Sequence, residues 1–186
     1  KPILLHGITG SGKTEVYLQA TRTALNLGKN VIILVPEISL APQTVQRFKA
    51  RFHDLTDQIA VLHSHLSQGE RFDEWHRIRA GKARIVIGAR SAIFAPIKDP
   101  GLIIVDEEHE PAYKQENPPK YHARDLAVVR CNLEKCTVVL GSATPSLETF
   151  QNTQLKKYQM VKMNERADGA SLPLTRVVDM RIEAKK

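Results

Sequence analysis

The chain has 186 residues, 42% hydrophobic and 25% charged, with a formal net charge of +7. That is one domain's worth of sequence, with enough apolar content for a sizeable core. No apolar run approaches the roughly 18 residues that span a bilayer, and the amino terminus carries no secretory pattern. A cytoplasmic location with no membrane partner is therefore expected. Cys131 and Cys136 lie five apart without a C-x-x-C spacing or a second pair, so reduced core thiols are expected and zinc is not. The basic excess is uneven, with +3 over residues 1–150 and +4 over residues 151–186. A polyanionic partner suits that charge, but composition alone does not select nucleic acid.

A strand over 2–6 runs into Gly7-Ile8-Thr9-Gly10-Ser11-Gly12-Lys13-Thr14, which fits G-x-x-x-x-G-K-[ST] at every specified position. Glycines let successive backbone N–H groups turn inward around phosphate oxygens, and the helix start adds its positive dipole end. All eight residues are candidate ATP ligands, with Lys13 reaching the β/γ-phosphates and the Thr14 hydroxyl available to Mg²⁺. The following helix, about 13–27, places Val16, Leu18, Ala20, Ala24, Leu25 and Leu27 on one side and stops at Gly28.

Residues 31–35 form an unbroken β-branched run, the signature of a strand buried on both faces. A helix from Ser39 to about Phe52, a strand at 59–62 and a charged helix at 68–80 follow. In that last helix Phe72, Trp75 and Ile78 recur every three residues, and core packing is the simpler role for Trp75. Further strands are expected at 84–87, 102–105 and 137–140, with a seventh at 158–163. A polar, Pro-rich loop fills 110–121, and helices occupy about 122–134 and 146–152. Strands alternating with helices predict an α/β doubly wound, mostly parallel sheet with helices on both faces.

The strand at 102–105 ends in Asp106-Glu107-Glu108-His109. Side chains at the carboxyl end of a parallel strand project into the ligand crevice. Asp106 there is a candidate Mg²⁺ ligand beside Thr14, and Glu107 a candidate general base for the attacking water. Adjacent carboxylates resist joint ionisation, so one of them should titrate high when no cation is present.

These residues resemble a known family. Asp106-Glu107-Glu108-His109 is similar to the DEAH-type signature of superfamily 2 helicases, and Gly141-Ser142-Ala143-Thr144-Pro145-Ser146 to their S-A-T motif. Val35-Pro36-Glu37-Ile38-Ser39-Leu40 and Gly88-Ala89-Arg90-Ser91-Ala92 resemble the family's strand-binding motifs. Glu108, together with Tyr113-Lys114-Gln115 and Tyr121-His122-Ala123-Arg124-Asp125, narrows the resemblance to the replication-restart helicases, from Leu4 to about Met180.

The resemblance implies a first RecA-like lobe, a P-loop NTPase three-layer sandwich, over 1–163, and a basic tail or linker over 164–186. It implies ATP and Mg²⁺ as cofactors and 3′-to-5′ movement on single-stranded and forked DNA. Primosome and single-strand-binding proteins would be partners of a full-length protein whose zinc lies outside this stretch. Pro36, Glu37, Arg90, Ser91, His109, Tyr113, Lys114, Tyr121, Ser142 and Thr144 become candidates for DNA binding or coupling. Other readings stand beside these. Both tyrosines have anchoring of the loop as an alternative, Arg90 a solvated surface role, and Ser142 and Thr144 the satisfaction of turn backbone. His109 either bridges the acids to the Ser142–Thr144 turn or simply packs. A RecG-like or restriction translocase lobe, or a nucleotide-gated interaction module, competes at the level of function. No second lobe fits within 186 residues, so an isolated piece should hydrolyse ATP slowly and unwind nothing.

Overall fold

Runs such as Val31-Ile32-Ile33-Leu34 and Ile85-Val86-Ile87 have no polar alternation, so a sheet built from them must be covered on both faces. The computed structural model, which describes residues 1–36, 42–64 and 66–167, satisfies that requirement. Seven strands, β1 (Ile3–Gly7), β2 (Asn30–Leu34), β3 (Ile59–Leu62), β4 (Ile85–Gly88), β5 (Pro100–Val105), β8 (Thr137–Ser142) and β9 (Gln159–Met163), form one sheet in the order β3-β4-β2-β5-β8-β1-β9. Every neighbouring pair is parallel. A separate antiparallel ladder pairs β6 (Lys114–Gln115) with β7 (Tyr121–His122) inside the stretch expected as loop.

Helices α1 (Lys13–Asn26) and α2 (Pro42–Arg51) cover one face, where Tyr17, Leu18, Leu25 and Phe48 pack on Val31, Ile33, Ile85 and Ile104. Helices α3 (Gln68–Arg79) and α4 (Ala123–Glu134) cover the other, where Ile78, Ala127 and Cys131 pack on Ile32, Leu34, Val86 and Ile103. A short helix α5 (Leu147–Gln154) precedes β9. Alternate residues of β2, β3, β4, β5 and β8 thus serve opposite cores.

Two helix faces differ from the sequence reading. The buried residues of α1 are Lys13, Tyr17, Leu18, Thr21, Ala24 and Leu25, while Val16 is 37% and Leu27 73% exposed. Positions 17, 18, 21, 24 and 25 follow the helical repeat, and Val16 and Leu27 fall outside that stripe. In α3 only Ile78 is buried, with Phe72 63% and Trp75 39% exposed. Each step of three rotates by about 60°, so neighbours in the series stay close but Phe72 and Ile78 lie about 120° apart, and only Ile78 reaches the core. Trp75 is not a core residue. Both cysteines are free thiols, Cys131 buried and Cys136 partly so. Glu37 lies outside the described residues, as does most of 164–186.

The strand order decides where the chemistry falls. β5, β8 and β1 are consecutive neighbours, and Leu5 is level with Gly141 while Val105 is level with Leu140. The carboxyl ends carrying Asp106, Ser142 and the Gly7 loop therefore share one edge, with β5 and β1 two strand spacings, roughly 10 Å, apart.

Gly88 marks how tightly the β3–β4 ends are packed. A Cβ there would lie 2.5 Å from the Leu62 carbonyl oxygen and 2.5 Å from Ala92 Cβ. Gly88→Ala should cost about 1–3 kcal/mol, read as a lower urea midpoint at unchanged slope. An unmoved midpoint would show that this strand end is not packed as described.

Candidate functional site

Gly10 and Gly12 take left-handed φ values of 81° and 89°, the conformations that fold the loop back on itself before α1. Gly7 is constrained by space: a Cβ would sit 2.5 Å from the Ser11 hydroxyl and 3.2 Å from Lys13 Cγ. Lys13 is 8% exposed, and its ammonium donates to the Gly7 carbonyl at 2.9 Å, with a Glu107 carboxylate oxygen 3.8 Å away. The buried Ser11 hydroxyl has no hydrogen-bond partner among the described residues. A glycine cradle, a lysine held by its own loop and an orphaned hydroxyl fit a phosphate chain, because an incoming anion would satisfy all three.

Asp106 follows the last residue of β5, and it lines a hollow of about 40 Å³ together with Thr14, Tyr17 and Arg47. Thr14 and Asp106 thus face one space, as the sequence motifs required. Two tyrosines hold Asp106. The Tyr17 hydroxyl donates to a carboxylate oxygen at 2.9 Å, and the Tyr113 hydroxyl donates to the main-chain carbonyl at 2.7 Å. Burial pushes the Asp106 carboxyl above its ordinary range, opposed by the Tyr17 hydrogen bond and reinforced by the neighbouring Glu107 charge. The expectation that one carboxyl titrates high is met, but burial exceeds carboxylate repulsion as its cause. A divalent cation offered to this hollow would find the Thr14 hydroxyl-bearing side chain and the Asp106 carboxylate on its wall, with Arg47 beside them.

Glu107 adopts φ 45°, a left-handed conformation uncommon for a residue with a Cβ. Such conformations cost roughly 1–3 kcal/mol and persist only where the surroundings impose them. Here the Glu107 side chain is placed beside Lys13 and 3.7 Å from His109 Nδ1. His109 in turn meets the Ser142 hydroxyl at 2.7 Å and the Thr144 hydroxyl at 3.3 Å. Ser142 also accepts the Thr144 backbone N–H at 2.9 Å. His109 is hydrogen-bonded to the turn and lies near Glu107, and Ser142 satisfies turn backbone as well.

Glu108 does something the motif does not reveal. It is 0% exposed, and its two oxygens accept from Ser146 N at 2.7 Å, Ser146 Oγ at 3.0 Å, Thr149 Oγ1 at 2.9 Å and the Arg124 guanidinium at 3.2 Å. Arg124 is itself 8% exposed and also bonds Asp125. The end of β5, the start of α4 and the amino cap of α5 are thereby joined through one carboxylate.

A second, larger cavity of about 620 Å³ opens beside this edge. Pro36, Arg90, Ser91, Tyr113 and Tyr121, all strand-binding candidates from the sequence, line it, joined by Ser64, Arg71 and Gln115, which the sequence reading did not select. Not every candidate keeps its expected role. Tyr113 is 1% exposed and tied to Asp106, so its ring offers no face to a base and the anchoring reading holds. Arg90 is half-exposed and tied to the loop: its guanidinium donates to the carbonyls of Ala112 and Lys114 at 3.2 and 2.6 Å and lies 5.9 Å over the Tyr121 ring. Tyr121 is half-buried, edge-on to Phe94 at 5.0 Å. Lys114 contributes its carbonyl to Arg90, while its ammonium lies 3.8 Å from Glu116, and the residue lines a different hollow with Glu116, Lys120 and His122.

Together the sheet, the loop and the acids define a RecA-like P-loop domain. The family model for the DEAD/DEAH box helicase matches residues 1–153, and the chain belongs to that family. It is 52% identical over its whole length to the replication restart protein PriA of Bacillus subtilis (strain 168), covering 23% of that protein. It is 53% identical over 98% of its length to PriA of Chlamydia pneumoniae, covering 24% of that one. The chain therefore spans about a quarter of the length of these relatives. Among solved structures, the Pyrococcus furiosus Hef helicase domain superposes with a TM-score of 0.60 at 21% identity, over 87% of this chain and 35% of that one. The DUF1998 helicase MrfA bound to DNA and AMPPNP gives 0.60 at 16% identity, over 89% and 25%. These likenesses establish the fold.

Removing the Glu108 carboxylate takes one of two near counter-charges from the buried Arg124, leaving Asp125 at 2.9 Å, and strips the Ser146 and Thr149 donors of their acceptor. Glu108→Ala should lose about 3–5 kcal/mol in urea denaturation, and Glu108→Gln, which keeps an acceptor, should lose less. Equal stability of wild type and Glu108→Ala would mean Arg124 is satisfied elsewhere.

Proposed function

We propose that this chain is the ATP-binding lobe of a 3′-to-5′ DNA helicase that acts in restart of stalled replication forks. The 52% and 53% identities to replication restart proteins support that placement over other translocases. In this reading residues 7–14 hold the triphosphate, Thr14 and Asp106 hold Mg²⁺, and Glu107 orients the attacking water. The metal supplies charge neutralisation on the phosphate oxygens when bound. The chain's own groups hold the loop open, fix the carboxylate and exclude competing contacts. Single-stranded and forked DNA are the proposed polyanion, with primosome and single-strand-binding proteins as partners of the complete protein in the cytoplasm.

The observation that carries the reading is the hydrogen bond from the groove wall to the main chain of Asp106. Tyr113 lines the 620 Å³ groove and hydrogen-bonds Asp106, so a strand in that groove and a nucleotide at the loop share one residue. Arg71 and Arg90 on the groove walls suit phosphates, which position a strand without reading sequence.

Anisotropy of labelled single-stranded DNA, with the complete protein at two salt concentrations and with or without ATP, tests this. Arg71→Ala should weaken binding and reduce the slope of log affinity against log salt by about one. Binding indifferent to DNA and salt would instead favour a nucleotide-gated interaction module. Separately, Lys13→Ala should abolish nucleotide binding while leaving the far-ultraviolet circular dichroism unchanged. Unfolding of that variant would contradict its placement at the ligand.

A further inference from the structure

Tyr17 stands outside the P-loop motif, yet it is built into the site. It lies three residues after Thr14 on α1, so the two side chains share a helix face. Its side chain is 2% exposed and its hydroxyl donates to Asp106 Oδ1 at 2.9 Å. The third strand of the edge makes room for it: a Cβ on Gly141 would overlap the Tyr17 hydroxyl.

We propose that Tyr17 is the positioning residue of the metal-binding carboxylate, its hydroxyl fixing Asp106 in the orientation that faces Thr14. The inference rests on Thr14 and Asp106 being the Mg²⁺ ligands. A carboxylate has several orientations of similar energy, and a metal that must first select one binds more weakly. Tyr17 removes that selection beforehand. The glycine at 141 then has a reason beyond turn geometry, since any side chain there would push the hydroxyl off the carboxylate. The helix that delivers Thr14 also delivers the group that aims its partner.

The test measures binding of a fluorescent ATP analogue to the complete protein while Mg²⁺ is titrated, alongside binding in excess chelator. Tyr17→Phe keeps the ring in its buried slot and should raise the Mg²⁺ half-saturation roughly tenfold, the scale for losing a hydrogen bond to a charged group. Affinity in chelator should stay within about twofold, which a merely structural role would not spare. Gly141→Ala should shift the Mg²⁺ midpoint in the same direction. The Tyr17→Phe/Gly141→Ala double variant should shift it no further than the larger single change, because both act through one hydroxyl. An unmoved midpoint in Tyr17→Phe, or equal losses with and without Mg²⁺, overturns the role of Tyr17 alone. A wild-type protein whose nucleotide affinity ignores Mg²⁺ overturns the ligand assignment and the inference with it.

Discussion

A carboxylate at the end of β5 has to stay ionisable in a place from which most water has been removed. Asp106 meets that constraint with two hydroxyl donors, Tyr17 on its side chain and Tyr113 on its carbonyl. The donors arrive from different elements, one from the helix that follows the phosphate loop and one from the wall of the large groove. Buried polar groups left unpaired cost about 1–3 kcal/mol each. Displacing either tyrosine therefore changes the free energy of the strand end itself. The rest of the edge is arranged around this point, with His109 bridging to Ser142 and Thr144 and Lys13 lying beside Glu107.

Glu108 explains why the run of acids does not simply repel itself. Asp106 faces the small hollow, Glu107 turns back toward Lys13 through its left-handed backbone, and Glu108 points into the protein. Three consecutive carboxylates thus find three different environments. The inward one is compensated by Arg124 and by three further donors from Ser146 and Thr149. An ion pair of that kind adds little net stability over an apolar substitute, yet losing one partner is costly. What it supplies is a fixed relation between the end of β5, the start of α4 and the cap of α5, across two intervening loops.

The phosphate loop and the acids were readable because their chemistry is local: glycine spacing and a strand ending in carboxylates carry their own geometry. The parallel sheet followed from unbroken β-branched runs for the same reason. The failures lie where a third dimension intervenes. A spacing of three repeated through Phe72, Trp75 and Ile78 drifts across the helix surface, so that only Ile78 meets the core. Nothing near Arg90 in the sequence announces the carbonyls of Ala112 and Lys114, more than twenty residues on, that occupy it. Glu108 was conspicuous as a motif letter, but its partners lie 16 to 41 positions away. Tyr17 is the instructive miss, because its spacing from Thr14 was legible and only the reach to Asp106 was not.

The large groove and the nucleotide edge are connected by a short series of contacts. Arg90 holds the carbonyls of Ala112 and Lys114, which flank Tyr113, and Tyr113 holds Asp106. A phosphate that competed for the Arg90 guanidinium would leave two carbonyls in need of new donors and loosen the segment that positions Tyr113. The reverse follows with equal force: a cation that tightened Asp106 would stabilise Tyr113 in its slot, and so keep Arg90 on the loop carbonyls. Linkage makes these two effects equal in magnitude. Under the proposed function, a coupling between an anionic polymer in the groove and a metal-bound nucleotide at the edge would need no rearrangement of the sheet. It would need only that one guanidinium be shared between the loop and the polymer.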